Sequence, residues 1–204
     1  MGKLSLKIIN GADFIKSALR GLASLITKDF DKKRGKAESK IRKITYNAIY
    51  NSPEMNAVRG GQLAFDLGIE EGNDPTSLIA NAVANSVNVR RPNFKASGNT
   101  ISGNYTVEIQ PNNFSNLLTQ SFGTVVTEKG QKLPWLSWLL VEGDSIIVAE
   151  WSVEYGQHGR SGGARMVPGG AFTIDPQYSG TISDNFVSRA LEEVNEKILK
   201  ALVE

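Results

Sequence analysis

The 204-residue chain contains no cysteine and a single histidine, His158. Without cysteine the protein cannot form disulfides, use a thiolate nucleophile or hold zinc or iron–sulfur clusters through sulfur. One histidine excludes metal sites that need two or more imidazole ligands, and any Ser-His-Asp triad would have to use His158. Because His158 lies among glycines and no strand–nucleophile–helix pattern precedes it, we interpret it as a loop residue rather than a catalytic base.

Long apolar runs are also missing. No stretch approaches the roughly 18 consecutive apolar residues that a membrane-spanning helix requires. The first ten residues, MGKLSLKIIN, have no apolar segment ending in a small-residue cleavage site, so we expect no secretory signal. The sequence predicts a globular protein that stays where it is made and has no membrane partner.

Positive charge is concentrated at the N-terminal end. Residues 1–43 carry twelve Lys or Arg and four Asp or Glu, a net charge of +8, and the rest of the chain carries −6. This asymmetry suits a solvated helix surface, contact with nucleic acid, or head-to-tail packing of identical subunits. The nucleic-acid alternative would use the basic N-terminal helix, although few aromatic residues are interleaved among its cations.

The periodicity of apolar residues predicts an α+β fold. Spacings of three and four predict an amphipathic helix from about residue 12 to 51, with a kink or break at Gly35 and a stop at Ser52-Pro53. Further segments have helical or alternating patterns: helices near 74–87, 114–122, 134–143 and 181–201, and strands near 105–109, 145–155 and 171–174. We therefore expect an antiparallel β-sheet packed against helices, with a long basic N-terminal helical arm (1–52) and a C-terminal helix. The core domain would be 53–204, with a glycine-rich loop at 156–170.

All three tryptophans, Trp135, Trp138 and Trp151, fall within 17 positions. They could form the centre of the core where a helix meets the sheet. Alternatively, one of them could anchor a subunit interface, because tryptophan is enriched at the desolvated centres of such contacts. Both interpretations can hold together.

No arrangement of residues indicates catalysis. The segment Gly159-Arg160-Ser161-Gly162-Gly163 is glycine-rich like a phosphate-binding loop, but it lacks the Gly-Lys-Ser/Thr ending and no helix is predicted after it. Adjacent carboxylates such as Glu192 and Glu193 diverge by about 100° on a helix and cannot share a substrate. We therefore predict no catalytic, cofactor-binding or metal-binding residues, no cofactor and no small-molecule substrate.

Two parts of the chain resemble a known class of proteins. Residues 51–72, NSPEMNAVRGGQLAFDLGIEEG, resemble a segment that follows a basic N-terminal helix in virion proteins of tailed bacteriophages. Residues 133–156, LPWLSWLLVEGDSIIVAEWSVEYG, together with 160–191, RSGGARMVPGGAFTIDPQYSGTISDNFVSRAL, resemble a block of phage neck and tail-completion proteins. The class is similar to the lambda-type minor tail protein Z. The chain departs from its pattern at Trp151, where a charged residue is expected.

The resemblance implies a structural protein of the phage head–tail connection, acting in neck assembly, tail completion or tail termination. It would be made in the host cytoplasm and reside in the virion, as a homo-oligomeric ring of six or twelve copies beside portal, adaptor or tail proteins. Non-specific contact with DNA in the channel is a further expectation. The residues that we predict at subunit or partner interfaces are Trp135, Trp138, Trp151, Arg160, Arg165, Lys32, Lys33 and Arg34.

Overall fold

The computed structural model describes residues 11–70, 74–111, 113–126 and 130–203. Seven helices lie within these residues: α1 (Gly11–Tyr50), α2 (Pro53–Val58), α3 (Gln62–Asp66), α4 (Thr76–Asn85), α5 (Ser115–Leu118), α6 (Trp135–Leu140) and α7 (Phe186–Val203). The helices predicted from apolar spacing are all present, most of them with shorter bounds than expected. Residues 1–10 of the predicted arm lie outside the described residues.

Eight strands are present in the described part of the chain, and they form four antiparallel pairs: β1 (Asn88–Arg90) with β4 (Thr106–Glu108), β2 (Lys95–Ser97) with β3 (Thr100–Ser102), β5 (Val125–Val126) with β6 (Lys132–Leu133), and β7 (Val148–Tyr155) with β8 (Ala164–Phe172). The fold is α+β, as predicted. The expected single sheet is instead four separate two-stranded sheets, of which only β7–β8 is long.

The helix α1 is continuous for 40 residues, so the predicted kink or break at Gly35 is wrong. A glycine in a helix interior costs about 1 kcal/mol relative to alanine, which is too little to interrupt a helix with intact turns on both sides. The predicted end is confirmed: α1 stops at Tyr50, and Ser52 caps α2 by accepting a hydrogen bond from the Met55 amide at 3.3 Å. Pro53 occupies the first position of α2, where its missing N–H is not needed.

The chain forms two compact units. Unit 1 contains residues 1–39 and 88–108, and unit 2 contains residues 40–87 and 109–204. This division differs from the predicted arm and core domain, because the chain after α4 returns to unit 1 as two nested antiparallel strand pairs, with β2–β3 lying between β1 and β4 in sequence. The boundary within α1 lies between Ser39 and Lys40 rather than after residue 52.

Unit 1 is built on one face of α1. Ala23, Phe30 and Ala37 are buried there. The Phe30 ring lies 4.4 Å from the Tyr105 ring, whose other neighbour is the Phe94 ring at 5.6 Å. These three rings form a small aromatic cluster, in which Phe30 is buried and Tyr105 is 40% exposed, and it packs the strand pairs against α1 within this unit.

Unit 2 contains a larger apolar core around α6. Every residue of α6 is buried. The end of α1, the helices α2 to α5 and the helix α7 also contribute residues to this core. Its largest fully buried side chains include Trp135, Phe186, Ile49, Met55, Leu63, Ile79, Leu117, Leu136, Leu139, Leu140 and Ile174. A six-residue helix that is apolar on all sides is stable only when other elements surround it. The LPWLSWLL segment is therefore the centre of unit 2.

The glycine-rich segment is only partly a loop. Residues 164–170, predicted to be irregular, belong to β8, because their backbone pairs with β7 in a register that includes Ser152 with Val167 and Glu154 with Arg165. A register shift lies between Ala149 and Trp151. Opposite this shift, Gly169 and Gly170 have φ values of 112° and 82°, a conformation that glycine adopts without steric cost. The glycines thus form a bulge inside a strand rather than a long loop.

The helix α7 begins later than predicted. Asn185, not the Thr181–Asp184 segment, caps it: its Oδ1 accepts hydrogen bonds from the Val187 and Ser188 amides at 3.1 and 3.2 Å. In return, the Ser188 hydroxyl accepts the Asn185 amide hydrogen at 2.9 Å. This reciprocal arrangement is a capping box, in which two otherwise unsatisfied amides at the helix end are paired.

Candidate assembly and binding surfaces

The three tryptophans separate into two environments. Trp135 and Trp138 lie in the core of unit 2 with 1% and 7% of their surface exposed, so neither can anchor a partner on the folded surface. Their assignment to an interface is wrong, and the core interpretation is correct for both. Trp151, on β7, is 37% exposed and remains available for an interface.

The two arginines of the glycine-rich segment are paired within the chain. Arg160 donates from Nε to the Gly68 carbonyl at 3.0 Å and from Nη1 to the Val126 carbonyl. Arg165 donates from Nε and Nη2 to Glu154 Oε2, both at 2.7 Å, across the β7–β8 pair. The Arg160 guanidinium is therefore a structural clamp that joins two loops of unit 2, contrary to the predicted contact with DNA or a neighbouring subunit.

Lys32, Lys33 and Arg34 are exposed on α1 in unit 1. Lys33 lies 3.4 Å from Asp29 one helical turn earlier, a surface ion pair of the kind that contributes at most about 0.5 kcal/mol. Nothing in the described residues covers these three side chains, so their predicted role at an interface stays a prediction.

A stripe of apolar side chains on α1 is exposed. Phe14, Ile15, Leu22 and Leu25 are 48–63% exposed. At 3.6 residues per turn they fall within an arc of about 100° that excludes the buried positions of α1. We call these four side chains the apolar stripe. The sequence pattern showed that α1 is amphipathic, but its apolar residues fill two faces and only one of them is buried.

A groove of about 480 Å³ lies in unit 1 between α1 and the segment 91–96. We call it the basic groove; it is lined by Arg20, Ala23, Ser24, Thr27, Lys28, Arg91, Asn93, Phe94, Lys95 and Ala96. Four of the ten lining residues are cationic and none is acidic. Sequence reasoning missed this site, because Arg91 and Lys95 are about 70 residues from the basic part of α1 along the chain.

A polar hollow of about 300 Å³ lies in unit 2 beside α3, β7 and β8. There the Tyr155 hydroxyl donates to Asp66 Oδ1 at 2.6 Å and accepts from Gln62 Nε2 at 3.3 Å. Burial raises the pKa of the Asp66 carboxyl, and the hydrogen bond from Tyr155 partly offsets that shift. Burial, followed by the Asp66 carboxylate, raises the pKa of Tyr155 to about 12, so the phenol is a hydrogen-bond donor at neutral pH.

The segment from Gly159 to Gly163 matches the Gly-x-Ser-x-Gly pattern of serine hydrolases, which sequence reasoning overlooked. In those enzymes the serine lies on a sharp turn from a strand into a helix and is exposed to substrate. Here Ser161 is 6% exposed, and the segment connects β7 to β8 rather than to a helix. The chain's single histidine, His158, has its Nε2 atom 3.1 Å from the Glu154 carbonyl oxygen. The pattern is therefore not a nucleophile elbow.

The described ranges contain neither a candidate metal site nor a candidate membrane-spanning helix. No three His, Asp or Glu side chains within them are grouped as a metal site would require. No helix among them is both long and apolar enough to cross a bilayer. Comparison of the chain with protein-family models, with curated proteins and with solved structures finds no match.

Proposed function

We propose that the protein is a non-enzymatic structural subunit that assembles with copies of itself into a ring at the head–tail junction of a tailed bacteriophage. The observation that carries the proposal is the apolar stripe on α1, where four large side chains are about half exposed or more. Full burial of a leucine or phenylalanine side chain contributes about 1.5–3 kcal/mol. Burial of the stripe against another copy would therefore contribute a substantial part of the free energy of association.

The distribution of charge favours a second copy as the occupant of the stripe. Over their whole ranges, unit 1 carries twelve Lys or Arg and five Asp or Glu, and unit 2 carries eleven and sixteen. The net charges are thus +7 and −5. Unit 1 of one copy is complementary to unit 2 of the next, and such head-to-tail contacts between different surfaces generate rings when the rotation closes.

Unit 2 offers an acceptor surface on the β7–β8 hairpin. Trp151 and Met166 are each 37% exposed, and the strand register places them on the same face because Met166 pairs with Val153, two residues from Trp151. Neither outer edge of this hairpin pairs with another strand in the described residues. A partner helix packed on this face would cover both side chains.

The assignment to the head–tail junction rests on the resemblance of residues 51–72, 133–156 and 160–191 to phage neck and tail-completion proteins. Within this chain the tryptophan block forms α6, the centre of the unit 2 core. Its resemblance therefore concerns residues that determine the fold of unit 2. The ring would contain six or twelve copies and contact portal, adaptor or tail proteins.

Light scattering coupled to size-exclusion chromatography tests the assembly step. We expect the mass of the wild-type protein to rise above that of a monomer between about 10 µM and 1 mM, because self-association depends on concentration. The double variant Leu22→Ser/Leu25→Ser should remain monomeric over the same range. A tagged subunit in phage particles should appear at the head–tail junction in negative-stain images.

The matched control is Ile182→Ser/Leu199→Ser. These side chains lie in unit 2 and are 65% and 55% exposed, similar to those of the stripe, so their replacement removes comparable apolar surface elsewhere. This variant should assemble as the wild type does. A wild-type protein that stays monomeric at all concentrations, or equal loss in both variants, would contradict assembly through the stripe.

A further inference from the structure

The basic groove of unit 1 contains cations with no acidic partner. Arg91 pairs with Asp31 at 2.7 Å, but among residues 11–39 and 88–108 no carboxylate pairs with Arg20, Lys28 or Lys95. Three uncompensated positive charges on the walls of one concave surface repel one another, and low-dielectric walls concentrate their field. An anionic ligand in the groove would relieve this repulsion.

The spacing of the cations matches a polymeric anion. Arg20 and Lys28 are separated by eight residues on α1, which is about 12 Å along the helix axis. One strand of a nucleic acid advances about 3.4 Å per nucleotide along a duplex axis, so this distance spans several phosphates. The opposite wall contributes Arg91 and Lys95, which allows the backbone to be contacted from both sides.

The remaining lining groups can contact bases and sugars. Asn93 supplies an amide with both donor and acceptor atoms, and Ser24 supplies a hydroxyl. The Phe94 ring lines the groove and is held in place by edge contact with Tyr105 at 5.6 Å. A positively charged groove with an aromatic wall is the arrangement by which proteins hold single strands without reading their sequence.

From these features we propose that the basic groove binds a single-stranded nucleic acid through its phosphate backbone. Binding in the groove is independent of the ring assembly proposed above, because the groove and the apolar stripe lie on different faces of α1. Under this proposal the basic N-terminal helix does not bind nucleic acid along its whole positive surface. It binds at one site, which it forms together with the segment 91–96. Lys28 and Lys95 form ionic contacts with successive phosphates, and Phe94 contacts a base.

Fluorescence anisotropy with a labelled single-stranded oligonucleotide of about 20 thymidines, a length that exceeds typical single-strand site sizes, tests the groove. The matched variants are Lys28→Gln/Lys95→Gln in the groove and Lys32→Gln/Lys33→Gln outside it. Each removes two exposed lysines from unit 1, so the net charge changes equally. Circular dichroism should show that both variants retain the helix content of the wild type.

We expect the groove variant to bind the oligonucleotide at least tenfold more weakly at about 0.1 M salt, and the control to change affinity less than threefold. Loss of two phosphate contacts should reduce the slope of log affinity against log salt by about 1.4, because each contact to a single strand contributes about 0.7. The control should keep the wild-type slope.

Several results would overturn the proposal. Equal weakening in both variants would show a diffuse charge effect rather than a site. Tighter binding of a 20-base-pair duplex, or full displacement of the oligonucleotide by inorganic phosphate at constant ionic strength, would identify another ligand. The same holds if vesicles containing phosphatidylglycerol bind in a Lys28-dependent way while the oligonucleotide does not. Failure of the wild-type protein to bind the oligonucleotide also rejects the site and leaves the assembly proposal unaffected.

Discussion

At the scale of single residues, the most costly polar group to bury is the carboxylate of Glu54. Its side chain is only 5% exposed, and Arg189 donates to its Oε1 from Nη2 at 2.7 Å and from Nε at 3.2 Å. The same guanidinium donates from Nη1 to the exposed Asp184 at 2.9 Å. Glu54 lies in the first turn of α2, directly after Pro53, and Arg189 lies in α7. The pair therefore joins two elements of unit 2 through residues that are 135 positions apart. A buried carboxylate is tolerated only with such a partner.

Replacement of Arg189 by methionine should lower the free energy of unfolding by about 3 kcal/mol, because it leaves the Glu54 carboxylate buried and unpaired. Urea denaturation followed by tryptophan fluorescence measures this change, since Trp135 and Trp138 lie in the same core. The additional change Glu54→Gln should restore part of the loss. Asp184→Asn is the control: the Asp184 side chain is itself 71% exposed, so the cost should stay below about 1 kcal/mol.

At the scale of elements, α1 presents three distinct faces. Phe30 and Ala37 are buried in unit 1, Arg20 and Lys28 line the basic groove, and the apolar stripe is exposed. A helix with one apolar face needs one neighbour, whereas this helix has apolar surface in excess of what its own unit covers. Because this apolar surface is left exposed, we propose that α1 forms a contact between subunits in addition to packing within its own chain.

Substitution of glycine by alanine should have opposite effects on stability in the helix α1 and in the turn at Gly68. A Cβ added at Gly35 in α1 meets no atom within 4 Å, whereas one added at Gly68 would lie 2.9 Å from Arg160 Nη2, at a residue with a φ of 64°. Gly35→Ala should therefore raise the free energy of unfolding of α1 by about 1 kcal/mol. Gly68→Ala should lower the stability of unit 2, because it strains the backbone and disturbs the Arg160 clamp.

Hydrogen exchange read at individual amides measures both effects in the units where they occur. Amides of α1 near Gly35 should exchange more slowly in Gly35→Ala, and core amides of α6 should exchange faster in Gly68→Ala. A loss of α1 stability in Gly35→Ala would contradict a continuous, regular helix at this position.

At the scale of the whole molecule, contacts between distant segments determine how stability depends on pH. Asp66 in α3 and Tyr155 in β7 are 89 residues apart and share a hydrogen bond of 2.6 Å. Burial raises the folded-state pKa of Asp66 above its ordinary value of 3.8. Between these two pKa values the folded protein binds more protons than the unfolded chain, so the contribution of Asp66 to stability falls as pH rises through this interval.

The variant Asp66→Asn should make this dependence visible. The asparagine Oδ1 still accepts the hydrogen bond from Tyr155 but does not titrate. The difference in unfolding free energy between variant and wild type should be constant below pH 3.8, the ordinary pKa of this group. It should then shift in favour of the variant as the pH rises. Urea denaturation of both proteins over a series of pH values measures this difference in unfolding free energy.

Tyr155→Phe provides the matched comparison. It removes a hydrogen bond that lowers the pKa of Asp66, so the interval in which stability falls should extend to higher pH than in the wild type. A Tyr155→Phe profile that coincides with the wild-type profile would contradict the assignment of this hydrogen bond to the ionised carboxylate.

Much of the secondary structure follows from local pattern. The end of α1 follows from apolar spacing and the Ser52-Pro53 stop. The helix α6 begins at Trp135, one residue after the predicted start at Pro134. Local sequence pattern gave the wrong secondary structure where contacts with other segments, or with adjacent helical turns, stabilise a conformation that the segment's own residues do not favour. The backbone of residues 164–170 forms a strand because β7 pairs with it, and Gly35 stays helical because the turns around it are intact.

The candidate surfaces were less predictable than the elements. Trp135 and Trp151 have the same side chain and lie 16 positions apart, yet one is in the core and the other is exposed. Arg160 was predicted at a subunit or partner interface and instead donates hydrogen bonds to two carbonyl groups of its own chain. No sequence pattern distinguishes these outcomes, because each depends on which distant segment lies beside the residue.

Local sequence pattern is enough to predict the α+β class, the long basic N-terminal helix, the C-terminal helix and the strand that follows the tryptophan segment, because periodicity and capping act over a few residues. The packing of distant segments sets which apolar face of α1 is buried, which cations meet across the basic groove, and that the nested strand pairs β1–β4 and β2–β3 belong to the smaller unit. Those outcomes depend on contacts between segments that are tens of residues apart, where burial and charge pairing, rather than local propensity, determine the free energy.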